Sequence, residues 1–164
     1  MKGDAKVLEY LNQALTNELT ATNQYWLHYR MLDNWGIAKL AEFERHESID
    51  EMKHADKLAE RILFLDGLPN FQRIGSLWIG DSVPEILAGD LALEQEAIPL
   101  LRDAIQHCEN VRDYVTRELF RSILDNEEEH VDFIETQQEL IEKMGLQNYI
   151  QLQTQPADEA HGGD

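Results

Sequence analysis

The chain has 164 residues, 43% of them hydrophobic, and its 32 acidic against 14 basic side chains give a formal charge of −18. That length supports one compact domain with a sizeable core, while the charge excludes nucleic acid and anionic membrane surfaces and leaves cations as the natural charged ligands. One cysteine, Cys108, rules out an intramolecular disulfide and any site built on paired CxxC motifs. No apolar run approaches the ~18 residues of a membrane span, and the opening MKGDAKVLEY lacks the apolar centre of an export signal, so a cytoplasmic protein is expected.

Apolar residues recur at steps of three and four along most of the chain, which predicts an all-α protein. The first helix is expected over about 5–33, capped near Gly3-Asp4, with the stripe Leu8, Leu11, Leu15, Glu18, Thr22, Tyr25, Tyr29, Leu32. The second spans about 36–66 before Gly67, with the stripe Leu40, Phe43, Glu47, Glu51, His54, Leu58, Ile62, Leu65. Residues 67–81 follow as a link that can extend ~50 Å, the length of a thirty-residue helix, and its Leu68, Phe71, Ile74, Leu77 and Trp78 suggest packing along the surface. A capping box at Ser82 to Glu85 opens the third helix, whose stripe is Leu87, Leu91, Glu94, Ile98, Leu101, Ile105, Cys108, and Pro99 predicts a kink within it. An unbroken helix from 83 to 144 would be ~90 Å long, so a turn is inferred near Asn110. The fourth helix then carries Phe120, Ile123, Glu127, His130, Ile134, Gln137, Ile141 and Met144 up to Gly145. A short fifth helix is expected after it. Residues 1–155 form the expected domain and 156–164 a disordered tail.

The short connections make the first and second helices antiparallel neighbours, and likewise the third and fourth. Ionisable residues interrupt the apolar stripes at Glu18, Glu51 and His54, and again 76 residues later at Glu94, Glu127 and His130. Each half therefore supplies one inward Glu and one inward Glu-x-x-His, whose i and i+3 side chains share a face. Unpaired buried carboxylates cost several kcal/mol each, and four converging ones must protonate or share cations. Two divalent ions neutralise four carboxylates. Glu51 and Glu127 can bridge both ions while Glu18 with His54, and Glu94 with His130, complete one each; this oxygen and nitrogen set suits iron or manganese. It is the ligand pattern of di-iron carboxylate bundles.

These six residues, their spacing, the long link and the opening MKGDAKVLEYLN resemble the bacterioferritins over nearly the whole chain. The resemblance implies a ferritin-like four-helix bundle with one long crossover between its second and third helices. It also implies a homo-oligomeric shell of 24 subunits built from dimers, with a di-iron ferroxidase centre in each bundle and stored ferric mineral. Fe²⁺ is then the substrate and O₂ or H₂O₂ the oxidant, with a ferredoxin or reductase as a further partner. Haem b bound between two subunits through a methionine from each is implied as well, and the matching residue is Met52. From sequence alone Met52 is a subunit-interface methionine, about 100° from the ligand face; a neutral thioether pair would favour ferrous haem.

Other residues have two readings. His46 and Asp50 form either a solvated i, i+4 pair or, by the resemblance, an iron transit site at the inner wall. Tyr25, on the stripe of Glu18, is a core tyrosine or an electron donor. Glu47 falls outside the symmetric set because its counterpart is Ile123, His28, His107 and His161 read as surface residues, and Cys108 as a small buried apolar side chain. The alternative function is another di-metal bundle enzyme of the peroxide reductase type, although the four cysteines of a rubredoxin module are absent. A charge-laced interaction module without metal chemistry leaves the inward Glu and His residues unexplained.

Overall fold

The computed structural model describes residues 1–157, and among these all regular structure is helical. The helices are α1 (Ala5–Asn34), α2 (Ala38–Phe64), α3 (Val83–Val111), α4 (Tyr114–Met144) and the short α5 (Leu146–Leu152). None is long and apolar enough to cross a membrane. The expected tail from 158 onward, with His161, lies outside the described residues.

Local chemistry sets the ends. Asp4 caps α1 by accepting from the backbone N–H groups of Lys6 and Val7 at 3.0 Å each. The box that opens α3 is shared between neighbours: Ser82 Oγ accepts from Glu85 N–H, and Glu85 Oε2 accepts from Asp81 N–H at 2.8 Å. The third and fourth helices part slightly beyond Asn110. Arg112 adopts the left-handed region, φ 62°, and Asp113 caps α4 by accepting from Thr116 N–H at 3.0 Å. Asp66 likewise takes a left-handed φ of 59° after α2. Gly67 sits in a tight place, where a Cβ would meet Leu8 Cδ2 at 2.6 Å, Ile62 Cγ2 at 2.9 Å and the Ile62 carbonyl at 3.2 Å, so a side chain there would require its neighbours to shift. The helix α3 runs through Pro99, whose ring sits on the exposed side.

Two apolar layers hold the bundle. One joins Leu11, Leu15, Leu58, Ile62, Leu101, Phe120 and Ile123; the other joins Leu32, Leu40, Ile86, Leu87, Ile134 and Tyr149. The first layer takes its residues from the N-terminal halves of α1 and α4 and the C-terminal halves of α2 and α3, so α2 and α3 run parallel. A parallel pair must be joined by a link that travels the length of the bundle, which residues 67–81 do.

The link runs along the surface as expected, but its apolar side chains are not its main fastening, since Leu68, Phe71, Ile74, Leu77, Trp78 and Ile79 remain partly or largely exposed. It is held through its backbone by a polar stripe on α1. Asn12 Oδ1 accepts from Asn70 N–H at 2.8 Å, Thr20 Oγ1 from Gly75 at 2.8 Å, Gln24 Oε1 from Trp78 at 2.7 Å, and His28 Nε2 from Gly80 at 3.1 Å. The extended strand therefore finds partners for N–H groups that no sheet supplies.

At the opposite junction Arg61 donates to Thr116 Oγ1 at 2.8 Å and to Asp113 Oδ1 at 3.0 Å, tying α2 to the α3–α4 turn. Asp113→Ala removes a helix cap and one acceptor of Arg61 together, a loss of about 1–3 kcal/mol. Thermal unfolding of the metal-free protein should show a lower Tm for this variant, with helical content at room temperature unchanged.

Candidate metal centre

Between the two apolar layers lies a polar one. The steps of three and four that build the stripes also aim Glu18 from α1, Glu51 and His54 from α2, Glu94 from α3, and Glu127 and His130 from α4 into the bundle. All six predicted groups meet there. Five are buried, and the side chain of His54 is 12% exposed.

The geometry divides them into two overlapping sets. His54 Nδ1 lies 3.4 Å from Glu18, 3.2 Å from Glu51 and 3.4 Å from Glu127. His130 Nδ1 lies 3.1 Å from Glu51, 3.3 Å from Glu94 and 3.4 Å from Glu127. Glu51 and Glu127 belong to both sets, each with one carboxylate oxygen toward either ring. In each set the ligand atoms fall within 4.8 Å of one another. This is the arrangement that a pair of cations bridged by two carboxylates requires.

Electrostatics state the same need. Burial drives Glu18 well above the usual carboxyl range, reinforced by the charges of Glu51 and Glu127. Glu94 is driven up by burial and by Glu127. For Glu51 burial works upward too, but bonds from Glu18, His130 and His54 outweigh it and hold the group low. For His54 burial favours the neutral ring, yet its contacts with Glu127, Glu18 and Glu51 raise it to about 12; His130 is raised in the same way. The shifts of Glu18, Glu94 and the two histidines are all in the direction that reduces the layer's negative charge.

Several residues outside the expected set also belong here. Glu47 is buried with its carboxylate against His130 Nε2, so that ring is held on both sides by carboxylates; no symmetric counterpart exists because Ile123 occupies the place on α4. Tyr25 donates to Glu94 Oε1 at 2.6 Å and stands edge-on to the His130 ring, with centroids 6.2 Å apart. Glu44 was missed, although the run Leu40, Glu44, Glu47, Glu51 in steps of four, three and four marks it; Phe43, read as the stripe residue, is only half-buried. The reading of His28 as a surface residue is overturned: it is fully buried and bonded to Asp90 at 2.8 Å, because the polar stripe of α1 faces the crossover. His107 is half-buried and pairs with Asp4 at 3.0 Å, and Cys108 is buried as expected.

His46 and Asp50 do not pair with each other. His46 contacts Glu42 at 3.1 Å and Asp50 contacts Lys53 at 3.8 Å, since alternative partners one turn away offer opposite or hydrogen-bonding groups. Met52 points away from the centre, 42% exposed, in a shallow pocket of about 390 Å³ walled by Trp26, Leu27 and Ile49.

A Ferritin-like domain family model matches residues 8–144. Over 160 residues the chain is 51% identical to a bacterioferritin of Brucella melitensis and 50% identical to one of Rhodobacter capsulatus, in each case spanning 98% of this chain and 99% of the relative. A bacterioferritin of Mycolicibacterium paratuberculosis is 51% identical over 149 residues, 91% of this chain and 94% of the relative. The chain belongs to the bacterioferritin family. Family membership and the polar layer agree, since the helices matched are those that carry all six inward groups.

Imidazole must be neutral and carboxylates ionised to bind a cation, so loading the metal-free protein with Fe²⁺ or Zn²⁺ releases protons and the apparent affinity falls as pH is lowered. Calorimetry in buffers of different ionisation enthalpy measures the release. Glu47→Gln loses the charge that orients His130 and should weaken binding by about tenfold, within the range for partners of metal-bound histidines.

Proposed function

We propose that this protein stores iron and oxidises Fe²⁺ as it takes it up, at the layer formed by Glu18, Glu51, His54, Glu94, Glu127 and His130. The single observation that carries this reading is the sharing of Glu51 and Glu127 between two His-centred sets. Two ferrous ions are the substrate. Each loses one electron; with O₂ as acceptor two protons are taken up and hydrogen peroxide leaves, and with H₂O₂ as acceptor water is formed. Carboxylate oxygens favour the higher charge of Fe³⁺, which drives the oxidation. The oxygen-rich ligand set supports iron over ions that need thiolate.

Access is provided on two sides. A cavity of about 290 Å³ reaches Glu18, Glu94 and Glu127 between α1, α3 and the crossover, walled by Gly75, Ser76 and Trp78. Another of about 340 Å³, lined by Asp50, His54, Asp125 and Glu129, leads to the half-open His54. Asp50 is the member of the His46 and Asp50 pair that stands on a route to the centre, and it offers Fe²⁺ a carboxylate in transit. The acidic composition draws cations to both mouths.

The row of exposed apolar side chains on the crossover is what subunit contacts would cover, and it supports a shell of 24 copies assembled from dimers. The apolar pocket at Met52 would hold haem b, with the Met52 thioether and the same residue of a second copy as its ligands. Bound haem would supply an electron to stored ferric iron, and a ferredoxin or reductase would reduce it. The setting is the cytoplasm.

Glu18→Ala and Glu127→Ala should each abolish rapid oxidation, followed by near-ultraviolet absorbance after anaerobic Fe²⁺ loading and mixing with oxygen, with the wild type saturating at two irons per chain. Saturation at one or none rejects the paired site. Met52→Leu should eliminate haem absorbance while leaving this oxidation intact. Size exclusion at several hundred kDa supports the shell, and elution at the mass of one or two chains refutes it.

A further inference from the structure

A second buried cluster lies on the far side of Tyr25. His28, Glu44 and Asp90 come from α1, α2 and α3, all fully buried, with one ligand-type atom of each within 4.8 Å of the others. The bonding around it is unequal. Asp90 Oδ1 accepts from Gln24 Nε2 at 2.9 Å and faces His28 Nδ1 at 2.8 Å. Gly80 N–H can only donate, and it points at His28 Nε2, so Nε2 accepts and the ring proton sits on Nδ1. Asp90 Oδ1 is thereby doubly satisfied. Asp90 Oδ2 and both oxygens of Glu44 have no donor at all.

His28 is not free to ligate a cation here: Nδ1 would have to lose its proton, which would place that proton on Nε2 facing the Gly80 N–H, donor against donor, and a cation would be left with the oxygens of Glu44 and Asp90 alone. A proton shared between these neighbouring carboxyl groups supplies what is missing for Asp90 Oδ2 and one oxygen of Glu44.

We propose that Glu44 is a neutral carboxylic acid sharing its proton with Asp90, and that this pair, through Gln24 and His28, positions the crossover that walls the opening onto the six-residue centre. Asp90 Oδ1 fixes both the amide orientation of Gln24, whose Oε1 receives Trp78 N–H, and the tautomer of His28, whose Nε2 receives Gly80 N–H. Trp78 borders that opening. Burial, together with the neighbouring charge of Asp90, drives Glu44 well above the usual carboxyl range. The titratable groups around it are Tyr25 and His28 from α1, Glu47 a turn away on α2, Asp90 on α3, His130 on α4 and Tyr149 on α5. Asp90 and the two side chains it orients are positioning residues, since none of them reaches the centre itself. Only the statement that the opening leads to iron rests on the proposed function.

Two measurements on the assembled full-length protein test this, and neither involves iron. In infrared difference spectra at neutral pH, wild type against Glu44→Gln should show one protonated-carboxyl band lost, while the glutamine, donating to Asp90 as the acid did, keeps the Trp78 and Gly80 amides protected from hydrogen exchange. Asp90→Ala should speed exchange of those two amides by about tenfold or more, leaving Gly75, which is held by Thr20 independently, unchanged. If Asp90→Ala fails to assemble, Asp90→Asn serves: its amide donates to Glu44, so the acid band disappears with the two amides still protected. Absence of an acid band that depends on Glu44 overturns the proposal, as does exchange in Asp90→Ala that is unchanged from wild type at Trp78 and Gly80 or accelerated equally at Gly75. Zn²⁺ binding with a third equivalent lost in Glu44→Gln would show a cation in place of the proton. A negative result here leaves the oxidation tests untouched, and failure of those tests leaves this latch standing.

Discussion

Four carboxylates and two imidazoles confined to one layer of a helical bundle impose the constraint on which the rest of the structure depends. Mutual repulsion and lost hydration oppose such a layer, and each uncompensated charge would cost several kcal/mol. The apolar layers above and below it supply the opposing free energy, with fully buried Leu11, Leu15, Leu58, Ile62 and Phe120 on one side and Leu32, Leu40, Ile86 and Leu87 on the other. The layer is thus an internal site that the fold tolerates because its ends are well packed. A layer so charged requires counter-charge, which cations or protons can supply.

The approximate two-fold relation between the halves is broken where it touches the chemistry. His130 is clasped between the shared carboxylates and Glu47, whereas His54 borders a cavity and is partly exposed. A ring held at both nitrogens has a fixed orientation; one held at a single nitrogen can turn. The two rings therefore sit in unequal surroundings, His130 deep in the bundle and His54 beside a cavity.

Topology explains the crossover's unusual attachment. Parallel α2 and α3 demand a connection along the whole bundle, and an extended strand with no sheet neighbour must satisfy its N–H groups elsewhere. Side chains at Asn12, Thr20, Gln24 and His28 do so from one face of α1, and two of them are themselves oriented by Asp90. The apolar side chains of the strand are left outward. Packing the connection by its backbone keeps that surface free for other contacts.

Period and spacing in the sequence by themselves determined the helices, a link long enough to span the bundle, and the six inward groups, because a side chain's face on a helix follows from its position in steps of three and four. The repeat at 76 residues showed that the groups come in matching halves. Only the tertiary structure decided what met His28, Glu44, Glu47 and Asp90, since their partners lie on other elements or, for Gly80, on a strand with no periodicity to read. The turn expected near Asn110 is there, with the third helix ending at Val111 and Arg112 taking the left-handed φ that lets the chain reverse. The cap at Asp113 is legible as Asp-x-x-Thr, but it acquires its meaning from Arg61, more than fifty residues away in sequence. Helix periodicity is a local property of the chain; which buried polar atom finds a donor is settled by elements that the sequence keeps far apart.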